Sequence, residues 1–187
     1  MGRNPRTEAP GAIYHVFTRS NAGERIFRDV LDARAFLLRL GLAVDRFAWL
    51  CRSFCVLGTH YHLCLETPEP NLAAGMHFLN RSYAQRLNER YGRSGHVFDG
   101  PYGIKAIASD EQLLQVARYI ALNPVRAGVC DHPVRWPWAS FPSTLGFVPK
   151  PPWLADQPLL ALFGGRIRRY REFVEGELGR ALSERRR

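Results

Sequence analysis

The sequence predicts an α+β fold, an antiparallel sheet of four to five strands with helices packed on one face. Segments of β-branched and aromatic residues alternate with segments whose apolar residues recur at helical spacing, in the order βαββαβα. Two of the strands are separated only by Gly58 and Thr59, which is typical of a tight hairpin. We expect one domain over residues 1–130, with 131–187 as a C-terminal strap and basic helical appendage of the same unit.

The first half of the chain supplies a strand, a helix and two strands. Residues 12–18 (AIYHVFT) have strand composition, and a helix capped by Asp29 follows over 29–44. The hairpin strands are then predicted over 47–57 and 60–66.

The second half adds a helix, a strand and a helix. Asn71 is the predicted cap of a long helix, and residues 104–107 form a short strand. The last helix begins at Ser109, which opens an S-x-x-Q capping box, and is expected to stop at Pro124.

The charge of the chain predicts a polyanionic partner. The net charge is +9, and only two of the 26 basic residues, Lys105 and Lys150, are lysines. Guanidinium groups pair with phosphate and stack on bases, so an excess of arginine suits a nucleic acid. A GC-rich genome would explain the ratio of arginine to lysine but not the net charge.

The spacing of the cysteines and the length of the apolar runs narrow the class of protein. The four cysteines form no C-x-x-C pair, which favours small buried residues in a reducing compartment over a zinc ribbon or a disulfide scaffold. No apolar run approaches the length of a membrane span, and the polar start is not that of a signal peptide. We therefore expect a cytoplasmic, nucleoid-associated protein with no membrane partner.

The stretch VLGTHYHLCLE carries two histidines on one face of a predicted strand. Side chains alternate along a strand, so His60 and His62 point to one face and Tyr61 to the core. Two imidazoles on one strand face can converge on a divalent ion, although strand histidines are often merely hydrogen-bonded. A structural zinc site that adds Cys64 is disfavoured, because three alternate residues of one strand cannot surround an ion tetrahedrally.

The helix after Ser109 carries a polar stripe opposite its apolar face. Gln112, Gln115, Tyr119 and Asn123 fall on this stripe, so a phenol and an amide oxygen project from adjacent turns. A tyrosine hydroxyl is a weak nucleophile, and attack on phosphorus needs a cation that stabilises the developing charge. The histidine pair and this stripe therefore predict a metal and phenol site for phosphate chemistry, with Gln115 as a possible neighbour that orients the phenol.

Several segments resemble one family over roughly residues 10–177. The matching text reads IYHVFTRSNAGERIF, THYHLCLE, RSYAQRLNERYGRSGHVFDG, ARYIALNPVRAGV, WPWASFPSTLG and LLALFGGRIRRYREFVEG. These segments are similar to those of the REP-associated tyrosine transposases, a branch of the single-tyrosine HUH transposase family. HUH denotes His, a bulky hydrophobic residue, and His. A departure is GPYGIKAI, where Pro101 replaces a residue that is usually basic and so removes a charge and a backbone donor.

The resemblance implies a ferredoxin-like HUH endonuclease fold and assigns roles to four residues. His60 and His62 match the metal-binding pair, Tyr119 the nucleophile, and Asn123 the third ligand. Members of the family bind Mg²⁺ or Mn²⁺, cleave single-stranded DNA beside a hairpin, keep a 5′-phosphotyrosine and free a 3′-OH. This branch acts on repetitive extragenic palindromes, and a monomer is slightly favoured over a homodimer. The alternative is a domesticated protein that binds structured nucleic acid without catalysis.

A further set of basic and polar residues is predicted to contact the DNA. These candidates are Arg3, Arg6, Arg19, Asn21, Arg25, Arg81, Arg86, Arg90, His96, Lys105 and Arg126.

Overall fold

The computed structural model describes residues 8–185, in which four strands form one antiparallel sheet. The strands are β1 (Ala12–Arg19), β2 (Leu50–Val56), β3 (His60–Thr67) and β4 (Gly103–Ile107). The helices are α1 (Val30–Phe47), α2 (Leu72–Tyr91), α3 (Asp110–Arg126), α4 (Ser140–Thr144), α5 (Gln157–Ala161), α6 (Ile167–Glu175) and α7 (Leu178–Glu184). The strand order is β2–β3–β1–β4 with every pair antiparallel, which confirms the α+β class and the βαββαβα order. Every helix within residues 8–185 is too short or too polar to cross a bilayer.

Helices cover both faces of the sheet, so the prediction of helices on one face was wrong. A first core contains the Tyr61 side of the sheet together with α1 and α2. A second core lies on the other side, where Cys64 packs with α3, α4, α5, α6 and α7. The physical reason is that the apolar stripe of α3, with Leu113 and Ile120, needs burial that the first core does not offer.

Helix starts follow the predicted caps in two cases of three. The carboxylate of Asp29 accepts from the backbone N–H groups of Leu31 and Asp32, at 2.9 and 3.0 Å. The hydroxyl of Ser109 accepts from the backbone N–H of Gln112 at 3.2 Å. These bonds satisfy N–H groups that have no partner inside the helix.

Asn71 does not cap α2. Its Oδ1 accepts instead from the indole N–H of Trp49 at 2.7 Å. The first N–H groups of α2, those of Leu72 and Ala73, donate to the carboxylate of Glu8 at 2.9 and 2.8 Å. A carboxylate distant in sequence therefore replaces the local cap and also compensates the positive end of the helix dipole.

Two helices run further than predicted. α1 continues to Phe47, and Ala48 in the left-handed region (φ 53°) ends it, so β2 begins at Leu50. α3 passes through Pro124 and ends at Arg126. A proline in the last turn removes one backbone hydrogen bond, and burial of the apolar residues around it offsets that loss.

A strap, defined as residues 138–155, covers the outer edge of β2. The N–H of Val56 donates to the carbonyl of Trp138 at 2.9 Å, and the N–H of Ala155 donates to the carbonyl of Cys51 at 2.9 Å. Between these points the hydroxyl of Ser140 bonds both the N–H and the carbonyl of Phe54, at 3.0 and 3.2 Å. The strap therefore pairs backbone groups that an edge strand would leave open.

Replacing Gly75 with alanine should destabilise the protein. A Cβ at this position of α2 would overlap the buried indole ring of Trp49. The overlap is with a rigid ring, so we expect the free energy of unfolding to fall by about 1–3 kcal/mol. The matched control is Gly179→Ala in α7, where no atom lies within 4 Å of the added Cβ. This variant should be stabilised by up to about 1 kcal/mol. Urea titrations of both variants test the pair, and equal stabilities would contradict the packing described.

Candidate active site

The two histidines of β3 lie on the face of the second core, and Tyr61 lies on the other face. His62 is 7% exposed, while Tyr61 is fully buried in the first core. The hydroxyl of Tyr61 accepts from Thr18 at 3.0 Å and donates to Oδ1 of Asn80 at 2.5 Å. The alternation predicted for this strand is thus present, and the bulky residue between the histidines anchors β3 to α2.

α3 carries Tyr119 and Asn123 to the same place. Oδ1 of Asn123 lies 3.1 Å from Nε2 of His60. The ring of Tyr119 stands perpendicular to that of His62, with centroids 5.2 Å apart, and the tyrosine is 39% exposed. The structure therefore brings together the phenol, the amide and both imidazoles, with the phenol open to solvent.

A third imidazole, His15, belongs to this cluster and was not among the predicted site residues. It lies on β1, is 8% exposed, and its Nε2 is 3.0 Å from Nδ1 of His62. Its ring centroid is 5.7 Å from that of Tyr119. The text AIYHVFT gives no sign of this role, because only the register of β1 against β3 places His15 diagonally next to His62.

Burial keeps the three imidazoles neutral near pH 7. Desolvation, aided by the charge that His15 would carry, lowers the pKa of His62 to about 2. Desolvation and the nearby Lys105 lower the pKa of His15 to about 4. The pKa of His60 is also lowered by burial, against which its hydrogen bond to Asn123 acts. Neutral rings have lone pairs available, as metal binding requires.

Three predicted DNA contacts flank the cluster. Arg19 is the register partner of His60, and Lys105 is the register partner of His15. The guanidinium of Arg126 lies 5.2 Å from the ring centroid of Tyr119, and its Nε donates to Glu184 of α7 at 2.8 Å.

Two predicted residues have other partners. Arg90 is held by Asp29, at 2.6 Å, and by the buried Asp32, so it ties α2 to the start of α1, and its contact with DNA stays a prediction. The amide oxygen of Gln115 accepts from Arg118 at 2.6 Å, and no described contact joins it to Tyr119.

No described contact joins the remaining candidates to His60, His62, Tyr119 or Asn123. Asn21 and Arg25 are exposed near the hairpin of β2 and β3, and Arg81 and Arg86 lie on α2. His96 lines a groove of about 590 Å³ between α2 and the loop before β4, on the side of the first core. Arg3 and Arg6 lie outside the described residues.

The cluster fits a small divalent cation. Neighbouring ligands of an octahedral Mg²⁺, each about 2.1 Å from the ion, are about 3 Å apart, which matches the pair His60 and Asn123. An amide oxygen only accepts, so this contact needs a proton on Nε2 of His60, and the Thr59 hydroxyl then donates to Nδ1 at 3.1 Å. Moving that proton to Nδ1 frees the Nε2 lone pair of His60 for a cation, beside the oxygen of Asn123. No group of three His, Cys, Asp or Glu side chains in the described chain could hold a metal, so a cation at this cluster would depend on two imidazoles and an amide oxygen.

The sequence is similar to that of a curated protein whose family is named. No protein-family model matches the sequence. A curated relative from Haemophilus influenzae (strain Rd), named provisionally as a REP-associated tyrosine transposase, is 27% identical over 101 residues. The resemblance to the REP-associated tyrosine transposases is confirmed. The alignment covers 48% of this chain and 57% of the relative, so the chain spans little more than half of that protein.

A solved structure of a REP-associated tyrosine transposase bound to a REP hairpin has the same fold. The TM-score is 0.68, with 14% identity, and the match covers 78% of this chain and 86% of the other. With only 14% of residues identical, this similarity establishes the fold alone, which is the ferredoxin-like arrangement of strands and helices. The roles of His60, His62, Tyr119 and Asn123, which the resemblance to REP-associated tyrosine transposases implied, stay predictions.

Proposed function

We propose that this protein is a metal-dependent nuclease and strand transferase that cleaves single-stranded DNA beside a hairpin through a covalent bond to Tyr119. The observation that carries the proposal is a solvent-exposed phenol against two neutral imidazoles and an amide oxygen. The name of the curated relative and the REP hairpin bound to the structural neighbour support the choice of substrate. The alternative, binding without catalysis, has no need for this combination of groups.

His60, His62 and Asn123 would hold Mg²⁺ or Mn²⁺. When bound, the cation polarises the non-bridging oxygens of the scissile phosphate and stabilises the charge that develops on them. Burial lowers the pKa of both imidazoles, so each ring is neutral across the physiological range and keeps one nitrogen lone pair that can bind a cation.

Tyr119 supplies the nucleophile. Its phenolic oxygen attacks phosphorus, the bond from phosphorus to the 3′ oxygen breaks, and the 5′ phosphate is left on the tyrosine. The phenolic proton passes to water and the departing 3′ oxygen takes up a proton, so no proton is gained or lost overall. The guanidinium of Arg126, 5.2 Å from the ring centroid, places a positive charge beside the tyrosine. Attack by another 3′-OH on the phosphotyrosine breaks the bond from phosphorus to the tyrosine oxygen, which takes up a proton as the attacking hydroxyl loses one, and strand transfer is complete.

The surroundings of the cluster would position the strand. Arg19 and Lys105 on the two flanks and Arg126 over the phenol place cations on three sides of the site. Such contacts fix the register of the backbone without reading sequence. All the groups of the site come from one chain, so we propose that a monomer is sufficient for cleavage.

The proposal is tested with a hairpin oligonucleotide that has single-stranded flanks, labelled at one end or the other. In Mn²⁺ the 3′-end label should become bound to the protein in denaturing gels, while the 5′-labelled fragment is released with a free 3′-OH. Transfer of the 5′-end label to the protein would contradict the polarity of cleavage that we propose. Tight hairpin binding with no cleavage and no adduct would favour the binding-protein alternative.

A further inference from the structure

His15 is placed to control which nitrogen of His62 is free. β1 and β3 are the two interior strands of the sheet, and the two imidazoles are diagonal neighbours on one face. Both rings are buried, and the Nε2 of His15 and the Nδ1 of His62 are 3.0 Å apart. Side chains on paired interior strands have little freedom, so this contact belongs to the rigid part of the site.

Proton accounting leaves two arrangements for this pair. Between two neutral imidazoles in hydrogen-bond contact, one nitrogen carries the shared proton and the other accepts it. If His15 donates, the proton of His62 lies on Nε2, and that nitrogen cannot bind a cation. If His62 donates from Nδ1, its Nε2 keeps a lone pair. Because His15 contacts Nδ1 and not Nε2, this lone pair is available to a cation.

We propose that His15 is a positioning residue that accepts the Nδ1 proton of His62 and so holds the Nε2 lone pair of His62 available for the catalytic cation. The inference rests on the proposed function, since it concerns the ligand set of that site. His60 has an equivalent partner in Thr59, whose hydroxyl lies 3.1 Å from its Nδ1. Both histidines of β3 therefore have a neighbour at Nδ1, and the neighbour of His62 comes from a different strand.

The size of the effect follows from similar pairs in metal sites. Removing the group that accepts from a ligating histidine lowers metal affinity by roughly 10- to 100-fold. His15→Phe keeps a planar ring among the neighbouring side chains but removes the acceptor. His15→Gln restores a carbonyl oxygen as the acceptor and should recover most of the affinity.

The experiment measures Mn²⁺ binding to the protein without DNA, from the electron paramagnetic resonance signal of the free ion. We expect His15→Phe to weaken binding roughly 10- to 100-fold and His15→Gln to lie close to wild type. His77→Phe, on the exposed side of α2, is the matched control and should bind like wild type. Thermal unfolding of each variant identifies any loss of fold, and nitrogen-15 NMR of the imidazoles reports where the protons are.

The possible outcomes separate the role of His15 from the metal site of the proposed function. Unchanged Mn²⁺ affinity in His15→Phe, or a proton on Nε2 of His62 in the Mg²⁺-loaded protein, would overturn the role of His15 alone. Loss of the Nδ1 proton of His62 when Mg²⁺ is added would make His15 and His62 the ligand pair instead and also overturn it. Absence of binding in wild type, or wild-type Mn²⁺ affinity in His60→Ala, would refute the metal site of the proposed function and this inference with it.

Discussion

We expect Tyr119→Phe to abolish the protein-linked DNA product. Phenylalanine has no oxygen to form the phosphodiester, so we expect cleavage to fall on the order of 10³-fold or more. The ring itself is kept, with its contacts to His62 and to the guanidinium of Arg126. Hairpin affinity, measured by fluorescence anisotropy, should therefore stay within about twofold of wild type, because only the reacting atom is removed.

Two comparisons make this result specific to Tyr119. Tyr91→Phe removes a phenol that donates to Asp32 on the first-core side of the sheet, so its adduct yield should match wild type at a temperature where it is folded. An adduct that persists in Tyr119→Phe, mapped by mass spectrometry to another side chain, would refute the assignment of the nucleophile.

Loss of either histidine of β3 should have the second large effect. In His60→Ala or His62→Ala the cation loses one of two imidazole ligands, and we expect cleavage in 1 mM Mg²⁺ to fall by about 10²-fold or more. EDTA should remove wild-type cleavage altogether. His77→Ala, which changes an exposed imidazole of α2, is the control and should cleave like wild type.

A Mn²⁺ titration separates two roles for these histidines. If cleavage by His60→Ala recovers at high Mn²⁺, the imidazole mainly sets affinity. If it stays low when the metal is saturating, the imidazole also positions the ion against the phosphate. Cleavage that is indifferent to EDTA and to both substitutions would contradict a metal-assisted reaction.

Local patterns predicted most of the elements of this fold. The alternation around His60 and His62, the turn at Gly58 and the cap at Asp29 each depend on neighbours in sequence, and each is present. The predicted cap of α2 and the predicted end of α3 were wrong because each depends on residues that are distant in sequence. Glu8 replaces Asn71 through a contact distant in sequence, and burial in the second core carries α3 past Pro124.

The sequence predicted those parts of the candidate site whose residues lie on the same strand or the same helix. His60 and His62 are two residues apart, and Tyr119 and Asn123 are four apart, so each pair follows from the period of its element. That the two pairs meet followed from the family resemblance. His15 required the register between β1 and β3, which no single segment of sequence contains. The ion pair of Arg90 with the buried Asp32 also joins residues distant in sequence, so the charge of Arg90 alone did not indicate it.

The strap has a consequence for the order in which the chain can fold during synthesis. The outer edge of β2 is complete only when residues 138–155 are available, about 80 or more residues after β2 itself has been made. Until then a nascent chain presents an unpaired strand edge to other chains on the same messenger. We therefore expect the yield of native protein to depend on how this strand edge is protected while the chain is being made.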